Sequence, residues 1–286
     1  MKYKAIFLIA FSLLFTLSSC KFQKILKSGS VDEKYEAAVK LYTQKDYSRA
    51  LQLFDQLAGA MRATDKAQKI AYYYAFCYYN QKDLTLAAYY FKRYSTNYPN
   101  SAEAEECMFM GAYCNFLNSP EYSLDQTITY DALKDLQLFT NTYPTSKRVS
   151  ECNDLIDKLR LKLEMKDYKI AKLFYRMDDY TASIQMLNNI LKDFPDTPHK
   201  EEVLFLIIKS YHKFAKQSIF EKQKDRHAKA ILAYNEFVAQ YPESKFMAEA
   251  SDMKERSRKE LEGIYDRDQK KILHESSKIQ SLTPIK

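Results

Sequence analysis

A short motif, an aromatic residue followed by proline and two polar residues, occurs four times in this chain and limits its fold more than any other feature. In each copy a small residue stands twelve positions before the proline. Apolar residues between them recur at three- and four-residue steps, which is typical of one face of an α-helix. Proline ends such a helix because it lacks an N–H and its ring clashes with the preceding turn. The prolines are Pro99, Pro144, Pro195 and Pro242, and the small residues are Ala87, Ala132, Ser183 and Ala230.

Each of these segments follows another helix-like segment, so the chain is predicted to form helical hairpins. In the clearest copy, residues 70–98, Ala75 and Ala87 allow the two helix axes to approach closely. A further copy begins near Asp46 and lacks the closing proline. Small, aromatic and proline positions at these offsets resemble the tetratricopeptide repeat, whose period is roughly 34 residues. The expected fold is all-α, a superhelical array of about five such hairpins with a C-terminal capping helix; an irregular helical bundle is the alternative.

The repeated spacing of small, aromatic and proline residues also predicts the helix boundaries. The segment at 147–176 has no internal Pro or Gly and is expected to form one continuous helix. The hairpins divide into an N-terminal group, 31–145, and a C-terminal group, 146–286. Helix N-caps are expected at Ser101, Ser146 and Thr197. The predicted pairs are 32–44 with 47–57, 66–80 with 84–97, 102–117 with 130–141, 147–176 with 180–193, and 199–216 with 227–240, followed by a last helix at about 245–271.

The first twenty residues have the pattern of an export signal. Lys2 and Lys4 precede an apolar run at 5–17, which is too short to span a bilayer of roughly 20 helical residues. The Leu-Ser-Ser-Cys box that ends at Cys20 resembles the bacterial lipoprotein signal, in which the cysteine is acylated; an ordinary secretory signal is the alternative. We therefore expect a signal peptide at 1–19 and a lipidated tether at 20–30, with the mature protein held on a membrane by its acyl chains.

Charge, cysteine usage and motif content exclude several functions. The formal net charge of +7 falls to about +5 once Lys2 and Lys4 are removed, which in an exported protein favours a membrane surface or protein partners over nucleic acid. The four histidines are scattered, so neither a metal site nor a cofactor is expected. Glycine-rich phosphate loops and hydrolase motifs are absent, so the protein is predicted not to be an enzyme. The remaining cysteines are interpreted as packing thiols without a disulfide: Cys77, Cys107, Cys114 and Cys152.

A lipoprotein signal followed by five such hairpins and a terminal helix resembles the BamD family of outer-membrane assembly lipoproteins. The resemblance covers nearly all of the mature chain. One departure lies at residues 58–62, Ala-Gly-Ala-Met-Arg, where the family usually has Tyr-Pro. The local match is strongest at Lys-Arg-Tyr at 92–94 before Tyr-Pro at 98–99, at Tyr-Ser-Leu-Asp-Gln at 122–126, and at residues 161–180.

The resemblance implies a non-catalytic scaffold on the periplasmic face of the outer membrane. Its implied partners are the BamA-type β-barrel assembly protein, through the C-terminal repeats, other assembly lipoproteins, and unfolded outer-membrane protein segments, through the N-terminal repeats. Residues 21–24 contain no Asp, so they lack the family-type inner-membrane retention residue. Two alternatives stay open: another envelope scaffold lipoprotein of a cell-wall or division complex, and a SusD-like surface glycan-binding lipoprotein.

An aromatic row on the first helices is the predicted binding surface. In tetratricopeptide arrays the first helices line the concave side, and Ala38 and Ala75 occupy equivalent small positions in the first two hairpins. Aromatic grooves suit extended peptides because each ring offers a large apolar area and Tyr adds a hydroxyl. The alternative is that neighbouring helices bury these rings. The predicted peptide-binding residues are Tyr35, Val39, Tyr42, Tyr72, Phe76 and Tyr79.

Overall fold

The computed structural model describes residues 21–61 and 66–282. The predicted signal peptide at 1–19 and the predicted lipidation site Cys20 lie outside the described residues. Within the described ranges the regular elements are all α-helices, and none of these helices combines the length and apolar character needed to cross a membrane. The all-α class and the pairing of consecutive helices in the tetratricopeptide manner are confirmed.

Eleven named helices follow one another in the described part of the chain, after a helical stretch at 21–28. They are α1 (Val31–Thr43), α2 (Tyr47–Ala60), α3 (Ala67–Asn80), α4 (Leu84–Asn97), α5 (Ala104–Asn118), α6 (Thr127–Thr142), α7 (Val149–Arg176), α8 (Tyr180–Asp193), α9 (Lys200–Lys216), α10 (Phe220–Gln240) and α11 (Met247–Leu282).

The turn inside three of the hairpins is built in the same way. The residue before the capping aspartate has a left-handed backbone, with φ of 64° at Lys45 and 66° at Lys82. The next residue is an N-cap: Asp46 accepts a hydrogen bond from the N–H of Arg49, at 3.2 Å. A side-chain cap of this kind satisfies one of the free N–H groups at a helix start. The same arrangement places Asp83 before α4 and, with Asp178 at φ 62°, Asp179 before α8.

The predicted proline stops also lie at helix ends. Helices α4, α6, α8 and α10 end one residue before the aromatic residue that precedes each proline. In α4, for example, the N–H of Tyr98 donates to the carbonyl of Tyr94, and Pro99 follows. The small residues twelve positions before each proline are buried to within 1 % exposure, as helix-to-helix packing requires: Ala87, Ala132, Ser183 and Ala230.

The chain divides into two compact units, and the boundary between Arg160 and Leu161 lies within α7. In the first unit the core forms two clusters, one centred on hairpin α1–α2 and one on α4, α5 and α6. Gly111 on α5 lies close to α4, because a Cβ there would lie 3.0 Å from Cγ of Lys92. Lys92 crosses this point and ion-pairs with Asp135, a buried carboxylate on α6, at 2.9 Å.

The second unit has its own core, formed by residues of α7, α8, α9, α10 and α11. Helix α9 is buried over much of its circumference, since six consecutive residues, 203–208, are 7 % exposed or less. A helix that is apolar on most sides must be covered on most sides. Helix α9 is accordingly the central helix of this unit, and α8, α10 and α11 all pack against it.

The structure corrects several expected boundaries. Helix α10 begins at Phe220 and not at 227, and α11 extends to Leu282 and not to 271. The expected N-caps at Ser101, Ser146 and Thr197 are wrong, because α5, α7 and α9 begin three residues after each of them. Ser146 and Thr197 instead accept hydrogen bonds from the N–H two residues ahead, in the turn before the helix. The continuous helix expected at 147–176 is confirmed as α7.

Candidate functional site

The candidate site is the set of aromatic side chains on the first helices of the first three hairpins, which we call the aromatic row. The members of the row are defined by their distance along the chain from three small residues. These are Ala38, Ala75 and Ala112, which are spaced 37 residues apart and are fully buried. Aromatic or apolar residues stand three positions before, one after and four after each alanine, which places them together on one side of the helix. On α1 and α3 these are the six predicted residues, Tyr35, Val39, Tyr42, Tyr72, Phe76 and Tyr79.

All six predicted residues are partly exposed, so the row is neither free in solvent nor buried in the core. The three on α1 pack against the cluster around the first hairpin, and the three on α3 pack against the next cluster. Each of these side chains therefore has part of its surface against the protein and part exposed to solvent. Whether the six residues bind a peptide stays a prediction.

Ring contacts hold the row in place. The ring of Phe76 lies 4.6 Å from that of Tyr72 and 4.8 Å from that of the fully buried Phe91, between ring centroids. Tyr42 lies 4.7 Å from Tyr73 on α3, which ties the first hairpin to the second. A surface whose side chains are already ordered loses little conformational entropy when a ligand binds.

The row also carries polar groups. The hydroxyl of Tyr72 donates a 3.0 Å hydrogen bond to Oε2 of Glu106 on α5. Burial, together with this carboxylate, raises the pKa of Tyr72, and burial raises the pKa of Tyr42 to about 12. Both phenols are therefore neutral near pH 7 and can donate hydrogen bonds. Lys66 lies 4.8 Å above the ring of Tyr35, and Lys82 lies 5.6 Å from the ring of Tyr79.

The sequence analysis did not predict the third set of residues in this row. On α5, Phe109, Tyr113 and Phe116 stand at the same offsets from Ala112. Their rings are stacked in sequence, with centroids 5.7 Å and 6.1 Å apart, and Tyr113 and Phe116 are partly exposed. The signal was present, because the 37-residue spacing from Ala75 leads directly to Ala112.

The second unit continues the aromatic row only in part: Tyr168 and Phe205 stand three positions before Ala171 and Ile208. At the position one residue after the buried small or apolar residue it has lysine: Lys172 follows Ala171, and Lys209 follows Ile208. Each lysine forms an ion pair with the next first helix, Lys172 with Glu202 at 3.2 Å and Lys209 with Glu249 at 2.8 Å. The corresponding surface here is charged and internally paired, so it offers less apolar area to a peptide.

A separate concavity lies on the other side of α3, between α2 and α4. It has a volume of about 730 Å³ and is lined by Asp55, Tyr74, Tyr90 and Arg93 among others. The hydroxyl of Tyr74 donates to Oδ1 of Asp55 at 3.0 Å, and burial is the main cause that raises the pKa of Tyr74. Tyr90 stacks on Tyr78 at 5.2 Å. This wall is already hydrogen-bonded and stacked within the protein.

The thiols and carboxylates of the described residues form no metal-binding group. No cluster of three or more His, Cys, Asp or Glu side chains there is arranged to hold a metal ion. The four described cysteines are free and buried, and burial raises the pKa of Cys77 and Cys114 to about 12 and that of Cys152 to about 11. A thiol that stays protonated is a poor nucleophile and a poor metal ligand.

Comparison with known proteins places the chain in a family. Residues 27–226 match the family model described as YfiO, outer membrane lipoprotein. A protein of Aquifex aeolicus, provisionally named outer membrane protein assembly factor BamD, is 25 % identical over 201 residues, which are 69 % of this chain and 65 % of that protein. The protein of that name from Caulobacter vibrioides is 23 % identical over 143 residues, which are 50 % of this chain and 45 % of that protein. These alignments thus span less than two thirds of either relative.

The BamD factor of Neisseria meningitidis serogroup A is matched over more of its length. It is 22 % identical over 231 residues, which are 74 % of this chain and 86 % of that protein. The resemblance to the BamD family is confirmed by the family model and these relatives together. Because the family model covers well over half of the sequence, the chain belongs to the YfiO family of outer membrane lipoproteins.

Proposed function

We propose that this protein is a lipid-anchored, non-catalytic scaffold of outer-membrane β-barrel protein assembly, and that its aromatic row binds unfolded segments of outer-membrane proteins. Membership of the family and the names of the relatives support the assembly role. The observation that carries the binding role is the row itself. Nine positions in three successive hairpins share one frame, and most of these side chains are ordered yet partly exposed.

The row has the chemistry that an extended apolar peptide requires. Aromatic rings bury large apolar areas, and the neutral hydroxyls of Tyr42 and Tyr72 can hydrogen-bond the peptide backbone. A strand of a β-barrel is a suitable ligand because it alternates apolar and polar side chains before it is folded. The Tyr72 hydroxyl already has Glu106 as an acceptor, so peptide binding there would compete with, or add to, an existing hydrogen bond.

The second unit is the proposed contact for a BamA-type partner. Helix α11 exposes several large apolar side chains, with Tyr265, Ile272 and Leu273 between 46 % and 68 % exposed. Exposed apolar side chains in one part of a surface are a common mark of a protein partner. A pull-down of the tagged protein from native outer membranes should recover a BamA-type β-barrel protein with the other assembly lipoproteins. Recovery of a cell-wall or division complex without it would contradict the assembly role.

The binding role is tested by removing two rings of the row. We expect Y72A/Y79A to weaken crosslinking of a β-barrel C-terminal peptide at least about tenfold, since a central aromatic residue of an interface typically contributes about 2 kcal/mol. A matched control is Y89A/Y130A, which removes two exposed tyrosines, 56 % and 59 % exposed, from the second helices α4 and α6. The control should bind the peptide as the wild type does. Unchanged capture by a double variant with the wild-type far-UV helical signal would rule out the row as the site.

The proposed anchor is tested separately at Cys20. Acyl chains on this residue would hold the protein on the outer membrane, so Cys20→Ser should release it into the soluble periplasmic fraction. The proposed location on the periplasmic face predicts that external protease leaves the protein of intact cells uncut. A variant that still pellets with membranes in partner-depleted cells would contradict lipid anchoring.

A further inference from the structure

The segment that precedes the first hairpin is an ordered helix packed against it. Residues 21–28 are helical, and Phe22 is only 8 % exposed. Phe22, Ile25 and Leu26 pack on the cluster that also contains the core of hairpin α1–α2. The guanidinium of Arg49, at the start of α2, lies 5.7 Å from the centre of the Phe22 ring. The segment therefore has a fixed position on the hairpin and is not a flexible linker.

The connection from this segment to α1 is also fixed. The N–H of Gly29 donates to the carbonyl of Ile25 at 2.9 Å, and a Cβ at position 29 would come within 2.6 Å of that oxygen. Glycine is therefore required at this helix end. The next residue, Ser30, forms a reciprocal capping box with Glu33: Ser30 N–H donates to Oε2 at 2.8 Å, and Glu33 N–H donates to Oγ at 3.2 Å. Only two residues separate the segment from α1, and both are held by hydrogen bonds.

The other side of the segment is basic. Lys21, Lys24 and Lys27 are exposed, and no acidic residue occurs between positions 21 and 31. Across the described ranges none of these three lysines forms an ion pair. The pKa of Glu33 is lowered mainly by its hydrogen bonds from Ser30 and in smaller part by Lys24. Three cations thus remain available on one face, opposite the apolar side chains that hold the segment in place.

The position of this face relative to the proposed lipid anchor decides what it can contact. Lys21 directly follows Cys20, so acyl chains there would begin one residue from the first of the lysines. Because Phe22 contacts Arg49, the start of the segment lies at the end of the hairpin that carries the α1–α2 turn. That turn adds Lys45, which is exposed, and the neighbouring Asp46 is ion-paired with Arg49 at 2.8 Å.

We propose that the exposed face of residues 21–28 is a membrane-contact surface on which Lys21, Lys24 and Lys27 bind the phosphate headgroups of anionic phospholipids. Its placement at the bilayer rests on the proposed anchoring at Cys20. The acyl chains hold the protein on the membrane, and the lysines fix its orientation. Since the segment is packed on the first hairpin, headgroup binding also sets the position of the N-terminal hairpins relative to the bilayer.

The chemistry favours a lipid surface over an acidic protein. Each lysine near an anionic bilayer strengthens binding by about fivefold, and the effect falls off within a Debye length of about 10 Å. Three lysines within eight residues of the acylated position satisfy that distance without any conformational change. They project from a helix that is only two turns long, so the basic face is small, which suits headgroups more than a folded partner.

The experiment measures vesicle binding of the unacylated protein, so that the lysines are tested without the lipid anchor. The mature chain with Cys20→Ser is sedimented with vesicles of phosphatidylethanolamine and phosphatidylglycerol, or with neutral phosphatidylcholine vesicles, at about 50 mM salt. We expect preferential binding to the anionic vesicles, and a loss of the order of a hundredfold in K21Q/K24Q/K27Q. The matched control, K259Q/K270Q/K271Q, removes the same charge from exposed positions of α11 and should bind as the parent chain does.

Three results would overturn the proposal. These are equal binding of the parent chain to anionic and neutral vesicles, unchanged binding of K21Q/K24Q/K27Q, and an equal loss in the α11 control, which would make the effect one of net charge. Far-UV circular dichroism and thermal unfolding check that the first variant stays folded, which is expected because the lysines are exposed. Failure of the anchor itself would appear in cells as continued membrane fractionation of a Cys20→Ser protein that also carries K21Q/K24Q/K27Q, because that variant lacks both proposed contacts.

Discussion

Two histidines are buried side by side in the second unit, and together they make its stability dependent on pH. His212 on α9 is 5 % exposed and His227 on α10 is 2 % exposed, with ring centroids 6.4 Å apart. Nδ1 of His212 lies 2.9 Å from Oγ of Ser257 on α11. Burial is the main cause that lowers the pKa of His212 to about 4, and the nearby cations Lys216 and Arg256 act in the same direction. Burial also lowers the pKa of His227, against a smaller opposing effect of Glu260.

The sign and size of the effect follow from linkage between protonation and folding. An unfolded histidine binds a proton below its ordinary pKa of about 6.5, whereas folded His212 stays neutral until about pH 4. Stability is therefore fully present above about pH 6.5 and is lost progressively as the pH falls towards 4. The difference amounts to about 2 kcal/mol between pH 7 and pH 5 for His212 alone. This is a large part of a typical unfolding free energy of about 5–15 kcal/mol.

The assay is urea unfolding followed by far-UV circular dichroism at pH 7 and pH 5, since the chain has no tryptophan. We expect the unfolding free energy of the wild type to be lower at pH 5 than at pH 7. The unfolding free energy of H212Q should decrease less, because this variant has lost one titrating group. H274Q is the matched control, since His274 is exposed on α11, and should keep the full dependence. An NMR titration that placed His212 near 6.5, or an H212Q variant with the full pH dependence, would refute the reasoning.

Two further predictions concern the helix shared by the units and the thiols. Leu159→Pro should unfold the protein at lower temperature, because proline inside α7 costs about 3 kcal/mol or more and removes a fully buried side chain; an unaltered thermal transition would contradict a continuous α7. The buried cysteines should react with a thiol reagent to less than about one equivalent in the native state, and fully in urea, because burial raises the pKa of each; rapid native labelling would show that one of them is accessible. They are Cys77, Cys107, Cys114 and Cys152.

The sequence predicted the hairpins well because their signals are local and repeated. Proline stops and small residues at fixed offsets each act within a few residues, and helices α4, α6, α8 and α10 end where the proline signals stand. The expected N-caps were wrong because the signal for them is ambiguous. A serine or threonine near a helix start can serve a turn instead, and Ser146 and Thr197 do so by accepting hydrogen bonds from the N–H groups of Arg148 and His199.

Boundaries that depend on tertiary contacts were not accessible from periodicity. The segment between α9 and α10 is polar and was expected to lie outside the helix, yet α10 begins at Phe220. The start is held by Arg226, which lies 3.5 Å above the ring of Phe214 and donates to Oγ of Ser218. Likewise, residues 21–28 are short and basic, and only the contact of Phe22 with the first hairpin shows that they are packed.

The candidate site was also only partly predictable from the sequence. Its aromatic residues were predictable because they repeat at fixed offsets, and the third set on α5 could have been found by extending the 37-residue spacing to Ala112. Partial exposure was not predictable, since an aromatic stripe of this spacing can equally be core. The exposure depends on the adjoining helix: Phe91 of α4 contacts the rings of Phe76 and Tyr79, and both residues stay partly exposed.

The two units differ in residue type at one position of the repeat. One residue after the buried small residue, the first unit has Val39, Phe76 and Tyr113, while the second has Lys172 and Lys209. A lysine there pairs with a glutamate of the next first helix and so links neighbouring hairpins, whereas Phe76 packs on Phe91 of its own hairpin and is partly exposed. An ion pair with both partners partly exposed contributes little to stability, so its main effect is to fix geometry. Residues at this position therefore separate the surface that we propose binds an apolar peptide from one whose lysines are ion-paired within the unit.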